Sequence, residues 1–148
     1  MELKPLERFL FGEFELTIDD KNRLLIPSDV RKRIDAEQDG QAFFVIVGGN
    51  RKLWFYPERA YEKLISQAPN EISPGEDRLA FDQLNFALAS RLEWDKQGRV
   101  LVPDKQLQRT GLSKDVTMIG ARDHLELWNR AEWDARREEL WARNPRFK

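Results

Sequence analysis

The 148-residue chain has no cysteine and a single histidine. Without cysteine there is no disulfide framework and no thiolate metal site. Long apolar runs are missing as well. The longest, Ala42 to Val47, is far too short to span a bilayer. Met1 to Phe14 shows neither an apolar signal core nor a small-residue cleavage site, so a cytosolic location is expected. Neither sign of charge is in excess: 25 basic residues face 26 acidic ones, for a net charge of −1. Global charge therefore gives no reason to expect a nucleic-acid partner, and such a function would need a local basic patch. The chain also lacks a G-x-S-x-G nucleophile elbow and a phosphate-binding P-loop.

What the chain does have is the same short segment twice. Asp19-Asp20-Lys21-Asn22-Arg23-Leu24-Leu25-Ile26-Pro27 is matched by Asp95-Lys96-Gln97-Gly98-Arg99-Val100-Leu101-Val102-Pro103, an offset of 76 residues. Tyr56-Pro57-Glu58-Arg59-Ala60-Tyr61 is matched by Trp128-Asn129-Arg130-Ala131-Glu132-Trp133 at an offset of 72. A two-fold internal repeat governs how the rest is read: each copy is a small unit that needs its twin to complete a core. Apolar residues make up 41% of the chain, enough for one shared core, with five Trp and nine Phe as large anchors.

Within the first copy, Gly12 to Ile18 alternates, with Phe14, Leu16 and Ile18 on one face, which predicts a half-buried strand. Asp19 to Asn22 reads as a turn and Arg23 to Ile26 as a second strand, ended by Pro27, which cannot donate to a ladder. Ser28 is placed to cap a short helix carrying Val30 and Ile34. Phe43 to Val47 and Lys52 to Tyr56 form a hairpin around Gly48-Gly49-Asn50. A helix then runs from Pro57 to about Ala68, its stripe made of Tyr61, Leu64, Ile65 and Ala68. Pro69 to Glu76 has a linker's composition. Asp77 to Ala89 is expected as a helix buried through Phe81, Leu84 and Leu88.

The second copy repeats the order. Ser90 to Trp94 is a strand, Asp95 to Gly98 a turn and Arg99 to Val102 a strand. A helix near Asp104 to Thr110 ends at Gly111. Strands Val116 to Ile119 and Leu125 to Trp128 flank a turn, and a charged helix runs from about Ala131 to Arg143. The division is 12–60 for the first unit with a helix to about 68, 69–89 for the connection, and 90–135 for the second unit with a helix to about 143. Residues 1–10 read as a partly ordered lead-in.

The repeated turn has a physical logic. Its fourth position is Asn22 in one copy and Gly98 in the other, the residue types that most readily accept positive φ. The leading Asp19 or Asp95 can accept bonds from the turn's own N–H groups. Arg23 or Arg99 then opens the strand, close to that Asp. Local charge differs from the global count. Asp19 to Arg33 holds Lys21, Arg23, Arg31, Lys32 and Arg33 against three acids, and Asp95 to Arg109 holds Lys96, Arg99, Lys105 and Arg109 against two. Each segment is net +2, a patch suited to phosphate if both turns share a face. The same residues also read as plain turn ion pairs and an ordinary solvated helix face, each exposed pair worth about 0–1 kcal/mol.

These motifs, together with Phe11-Gly12-Glu13 upstream and Ile119-Gly120 and Leu125-Glu126-Leu127-Trp128 downstream, closely resemble the MraZ family of tandem SpoVT/AbrB-type units. The resemblance runs from about Gly12 to Trp133. It implies a mainly β fold with short helices (α+β), in which two tandem units pair about a pseudo-two-fold as a swapped-hairpin, double-split β-barrel. It further implies ring oligomers, nucleoid association and sequence-specific binding of double-stranded DNA at short promoter repeats upstream of a division and cell-wall gene cluster. Carried over by motif, Arg23 and Arg99 are the DNA-contacting arginines. Lys21, Arg31, Lys32, Arg33 and Lys96 are their supports, while Asp19, Asn22, Asp95 and Gly98 organise the turns. No cofactor, metal, membrane or small-molecule substrate is implied. Asn22 departs from the family's usual Gly, and Met1 to Arg8 is longer than usual.

Two rival classes remain open. In an enzyme, His124 would be the one imidazole base, but it reads as a solvent-facing turn residue beside Arg122 and Asp123. An antitoxin-like or scaffold module without a DNA role would instead use the last helix, whose Trp133 and Trp141 otherwise read as core or subunit contacts.

Overall fold

The computed structural model describes residues 9–67 and 75–147. The expectations for Met1 to Arg8, for the helix end at Ala68 and for the linker at 69–74 lie outside the described residues. The first copy contains strands β1 (Glu13–Thr17), β2 (Arg23–Leu25), β3 (Ala42–Val47) and β4 (Leu53–Pro57). Its helices are α1 (Ser28–Arg31), α2 (Ala36–Asp39) and α3 (Glu58–Ser66), and α4 (Glu76–Leu88) leads into the second copy. There β5 (Ser90–Glu93), β6 (Arg99–Leu101), α5 (Asp104–Thr110), β7 (Asp115–Gly120), β8 (Leu125–Asn129) and α6 (Arg130–Arg143) repeat the order.

Strand pairing shows why one copy needs the other. A six-stranded antiparallel sheet runs β1-β7-β8-β4-β3-β5, and a separate two-stranded ribbon pairs β2 with β6. Exchanging the copies leaves this order unchanged. The first strand of each copy lies against the third strand of the other: β1 on β7 and β5 on β3. The pseudo-two-fold axis passes through the pairs Leu24–Val100 and Trp54–Glu126, where equivalent strands meet. The sheet does not close as a barrel. The α+β architecture of two tandem units stands, with an open sheet and a ribbon in place of the barrel.

The core lies between ribbon and sheet. Leu24, Ile26, Val100 and Val102 point inward from the ribbon and are essentially solvent-free, as are Phe43, Phe55, Leu53, Met118, Leu125 and Leu127 from the sheet. Phe43 meets Phe55 edge-on at 5.7 Å. Each such side chain contributes about 1.5–3 kcal/mol when fully buried. The alternation of Phe14 and Leu16 inward with Glu13 and Glu15 outward holds along β1.

Several expectations are corrected. Leu10 belongs to the core rather than to a loose lead-in, bridged to Arg122 by two backbone hydrogen bonds of 2.8 and 2.9 Å. Ser28 opens α1 without capping it, since Pro27 occupies the cap position. On α3 only Tyr61 is buried, while Leu64 and Ile65 are exposed. Helix α4 forms as expected but turns Phe81 and Leu84 outward, about two-thirds exposed, while Leu88 is half-buried and no residue of the helix is fully buried. Its inward side is polar, with Asn85 Nδ2 donating to the Tyr61 hydroxyl at 2.8 Å. Periodicity identified the stripe but not its direction, because a stripe says nothing of what lies opposite it. Trp133 donates Nε1 to Glu13 across the fold at 2.5 Å, whereas Trp141 is half exposed on α6.

Candidate nucleic-acid interface

Both turns close in the same way. In the first, Asp19 Oδ1 accepts from the backbone N–H of Lys21 at 2.9 Å and of Arg23 at 2.8 Å, and Oδ2 accepts from Arg23 Nε at 2.7 Å. In the second, Asp95 Oδ1 accepts from Gln97 and Arg99 at 2.9 and 3.0 Å, and Oδ2 from Arg99 Nε at 3.0 Å. Both carboxyls lie below their ordinary range. The backbone N–H of the Arg is the largest cause, opposed by desolvation and helped by the guanidinium. The fourth position is left-handed in each, with φ 62° at Asn22 and 82° at Gly98. Each carboxylate fixes the Nε side of its guanidinium, and the Arg side chains stay 36% and 32% exposed. The arginines are thus held in a set direction without being buried.

The ribbon aligns these groups. Arg23 pairs with Leu101 and Leu25 with Arg99. Residues opposite each other, and residues two apart, share a face. Arg23, Leu25, Arg99 and Leu101 therefore occupy one outer face, while Leu24 and Val100 are buried on the other. Leu25 and Leu101 are 49% and 61% exposed, an apolar centre between two cations that the turn motif alone does not mark. Period-two alternation from Arg23 onward is the signal that finds them.

The predicted supports do not behave alike. Lys21, Lys32 and Lys96 are exposed. Arg31 donates Nε to the Ile26 carbonyl at 3.0 Å and lays its guanidinium over Gly98, where a Cβ would approach it to 2.6 Å. Arg33 stacks on Phe11 at 3.9 Å and on Phe9 at 5.5 Å. It therefore braces the segment before β1 as well as adding charge. Asn22 donates Nδ2 to Asp104 at 2.5 Å.

His124 is corrected from a solvent-facing turn residue to a buried one. Arg122 takes φ 80°, and the turn brings the imidazole onto Trp54 with ring centroids 3.9 Å apart. Nδ1 meets Asp123 Oδ1 at 2.8 Å and Nε2 meets Glu126 Oε2 at 2.9 Å. Burial works against the charged ring, but the hydrogen bonds it donates to Glu126 and Asp123 outweigh it and raise the pKa. Its counterpart in the first copy is Lys52, also buried, which pairs with Glu132 and lies over Trp128 at 4.9 Å. Both are basic side chains held on aromatic rings between the copies, and neither belongs to the ribbon. Among the described residues, no group of three or more metal-ligating side chains could hold an ion, and no helix is long and apolar enough to cross a membrane.

A family model described as "MraZ protein, putative antitoxin-like" matches residues 9–82 and again 86–148. A protein of Pediococcus pentosaceus named transcriptional regulator MraZ is 36% identical over 131 residues, covering 86% of each chain. Similarly named proteins of Heliobacterium modesticaldum and Clostridium tetani are 34% identical over 128 residues and 30% over 123, covering 86% and 83% of each chain.

Proposed function

Because this chain belongs to the MraZ family, we propose that it is a transcriptional regulator that reads double-stranded DNA through the outer face of the β2–β6 ribbon. The observation that carries the reading is the pair of Asp-held arginines, Arg23 and Arg99, on one exposed face of a two-stranded ribbon. A ribbon of this width fits the major groove, where Arg pairs with guanine O6 and N7 for about 1–3 kcal/mol each. Leu25 and Leu101 between them suit thymine methyl groups. Lys21, Arg31, Lys32, Arg33 and Lys96 supply phosphate contacts that position the ribbon, and Asp19, Asn22, Asp95 and Gly98 keep the arginines aimed.

One face carries few cations, so affinity is gained by assembly. The outward apolar face of α4, with Leu64 and Ile65 of α3 beside it, is suited to a second copy. Where such a contact is head-to-tail and its rotation closes, it builds a ring. A ring would engage successive short repeats upstream of a division and cell-wall gene cluster, gaining avidity without new contacts per subunit. The protein would then be nucleoid-associated, and we assign it no reaction. The rival reading, in keeping with an antitoxin-like family, is a protein partner in the groove between Trp133, Leu140 and Trp141.

The test is fluorescence anisotropy on a labelled duplex carrying tandem repeats from upstream of the chain's gene, against a scrambled duplex, across a salt series. Arg23→Ala with Arg99→Ala is expected to abolish the preference for the repeats. Unchanged binding by the double variant would overturn the ribbon reading.

A further inference from the structure

The exchange of strands between copies crosses the turns with the wrong helices. Antiparallel pairing puts the end of β2 beside the start of β6, so α1 of the first copy covers the turn of the second. Likewise α5 of the second copy covers the turn of the first. Ile26 N–H donates to Gly98 O at 2.9 Å and Val102 N–H to Asn22 O at 2.8 Å, a matched pair of crossings. What each helix brings is not matched. At the Gly98 end the guanidinium of Arg31 lies on the turn, in space that only a glycine leaves open. Its sequence counterpart in α5 is Leu107, which packs against the core. At the Asn22 end the covering group is the carboxylate of Asp104, bonded to the Asn22 amide.

The two ends of the face therefore differ in charge, although the two sequence segments do not. The Gly98 end combines Lys96, Arg99, Arg31, Lys32 and Arg33 with Asp95 and Asp29, a net +3. The Asn22 end combines Lys21, Arg23, Lys105, Arg109 and Lys114, which pairs with Asp20, with Asp19, Asp20 and Asp104, a net +2. Arg31 can grip a phosphate beside the ribbon. Asp104 repels one, and can instead accept from a cytosine or adenine amino group.

We propose that this face is polar along the ribbon: each subunit docks on DNA in one orientation, with the Gly98–α1 end gripping the phosphate backbone and the Asn22–α5 end held off it by Asp104. Arg31 and Asp104 act as positioning residues that set the direction. This rests on the DNA reading above.

The absence of cysteine makes the test clean, since one introduced thiol is the only one in the chain. Ser28→Cys in α1 and Gln108→Cys in α5 are exposed, leave every charge unchanged and lie at opposite ends of the face. Each is labelled with an iron–EDTA cleavage reagent and placed on a duplex that the unlabelled protein has selected from a random-sequence pool. The expected result is cleavage by the two conjugates at opposite flanks of the selected site, each favouring its flank by about tenfold. Arg31→Gln is expected to lower the slope of log K against log salt by about 0.9 and to reduce that bias. Equal cleavage of both flanks by each conjugate would overturn the orientation while leaving DNA binding intact. A pool that yields no enriched sequence would overturn the DNA reading itself, and the orientation with it.

Discussion

The two repeated turns agree in every backbone hydrogen bond and differ in nearly everything around them. Asp19 and Asp95 close their loops with the same three bonds, within 0.3 Å of each other atom for atom. The surroundings differ because each turn is covered by the other copy's helix, and those helices have diverged: Arg31 stands where Leu107 does, and Ser28 where Asp104 does. The buried basic side chains diverge likewise. Lys52 and His124 hold equivalent places, a lysine in one copy and a histidine in the other, and only histidine ordinarily changes charge near neutral pH. Local chemistry conserves the device that aims an arginine, while contacts between copies set the environment in which it works.

The largest effect that would break the comparison is on the axis itself. Leu24 meets Val100 there and is fully buried. Leu24→Ala is expected to cost about 2–5 kcal/mol, read from the urea midpoint. A midpoint that stays put would mean that the copies do not share this core.

The next sharpens the difference between the turns. Gly98→Ala forces a side chain to φ 82° and into Arg31, for about 1–2 kcal/mol from the backbone alone. Asn22→Gly relieves a left-handed asparagine while losing its bond to Asp104, and is expected to leave stability within about 0.5 kcal/mol. Equal losses in thermal unfolding would mean that the two turns are equivalent.

A pH series tests the buried histidine. His124 has a folded pKa above its ordinary 6.5, so its stabilisation is complete below about 6.5 and is lost as the pH climbs through the folded value. Glu126 is raised by burial but lowered further by bonds from His124 and Trp128. Its stabilisation is present above about 4.5 and is lost as the pH falls through its folded value. The pair contributes most between those limits. Asp123 also faces the ring, Arg136 lies near Glu126, and Tyr56, pushed up to about 12 by burial, stays neutral throughout. His124→Gln should flatten the alkaline side of the stability profile. A wild-type profile that is flat from pH 6 to 9 would show that the imidazole does not hold its proton in the fold.

The smallest effect is at the surface. Lys114 pairs with Asp20 only in the first copy, and both side chains are more than two-thirds exposed or nearly so. Lys114→Ala should leave the urea midpoint unmoved. A measurable loss would mean that the pair anchors the first turn in a way the second turn lacks.

The sequence by itself determined the doubling, the strand and helix order of each copy, and the chemistry of the turn. These follow from short-range causes: an Asp that bonds the N–H groups two and four residues on, a fourth position that accepts positive φ, a Pro that ends the strand, and alternation that places Arg23 and Leu25 on one face. Only the tertiary structure decided that the strands are exchanged between copies and that the sheet stays open. It also turned α4's apolar face outward, buried His124 on Trp54 from another strand, and set Arg31 at one end of the ribbon face and Asp104 at the other. Each of those depends on which distant segment lies opposite, and a one-dimensional pattern carries no record of its partner until the chain has folded around the axis through Leu24 and Val100.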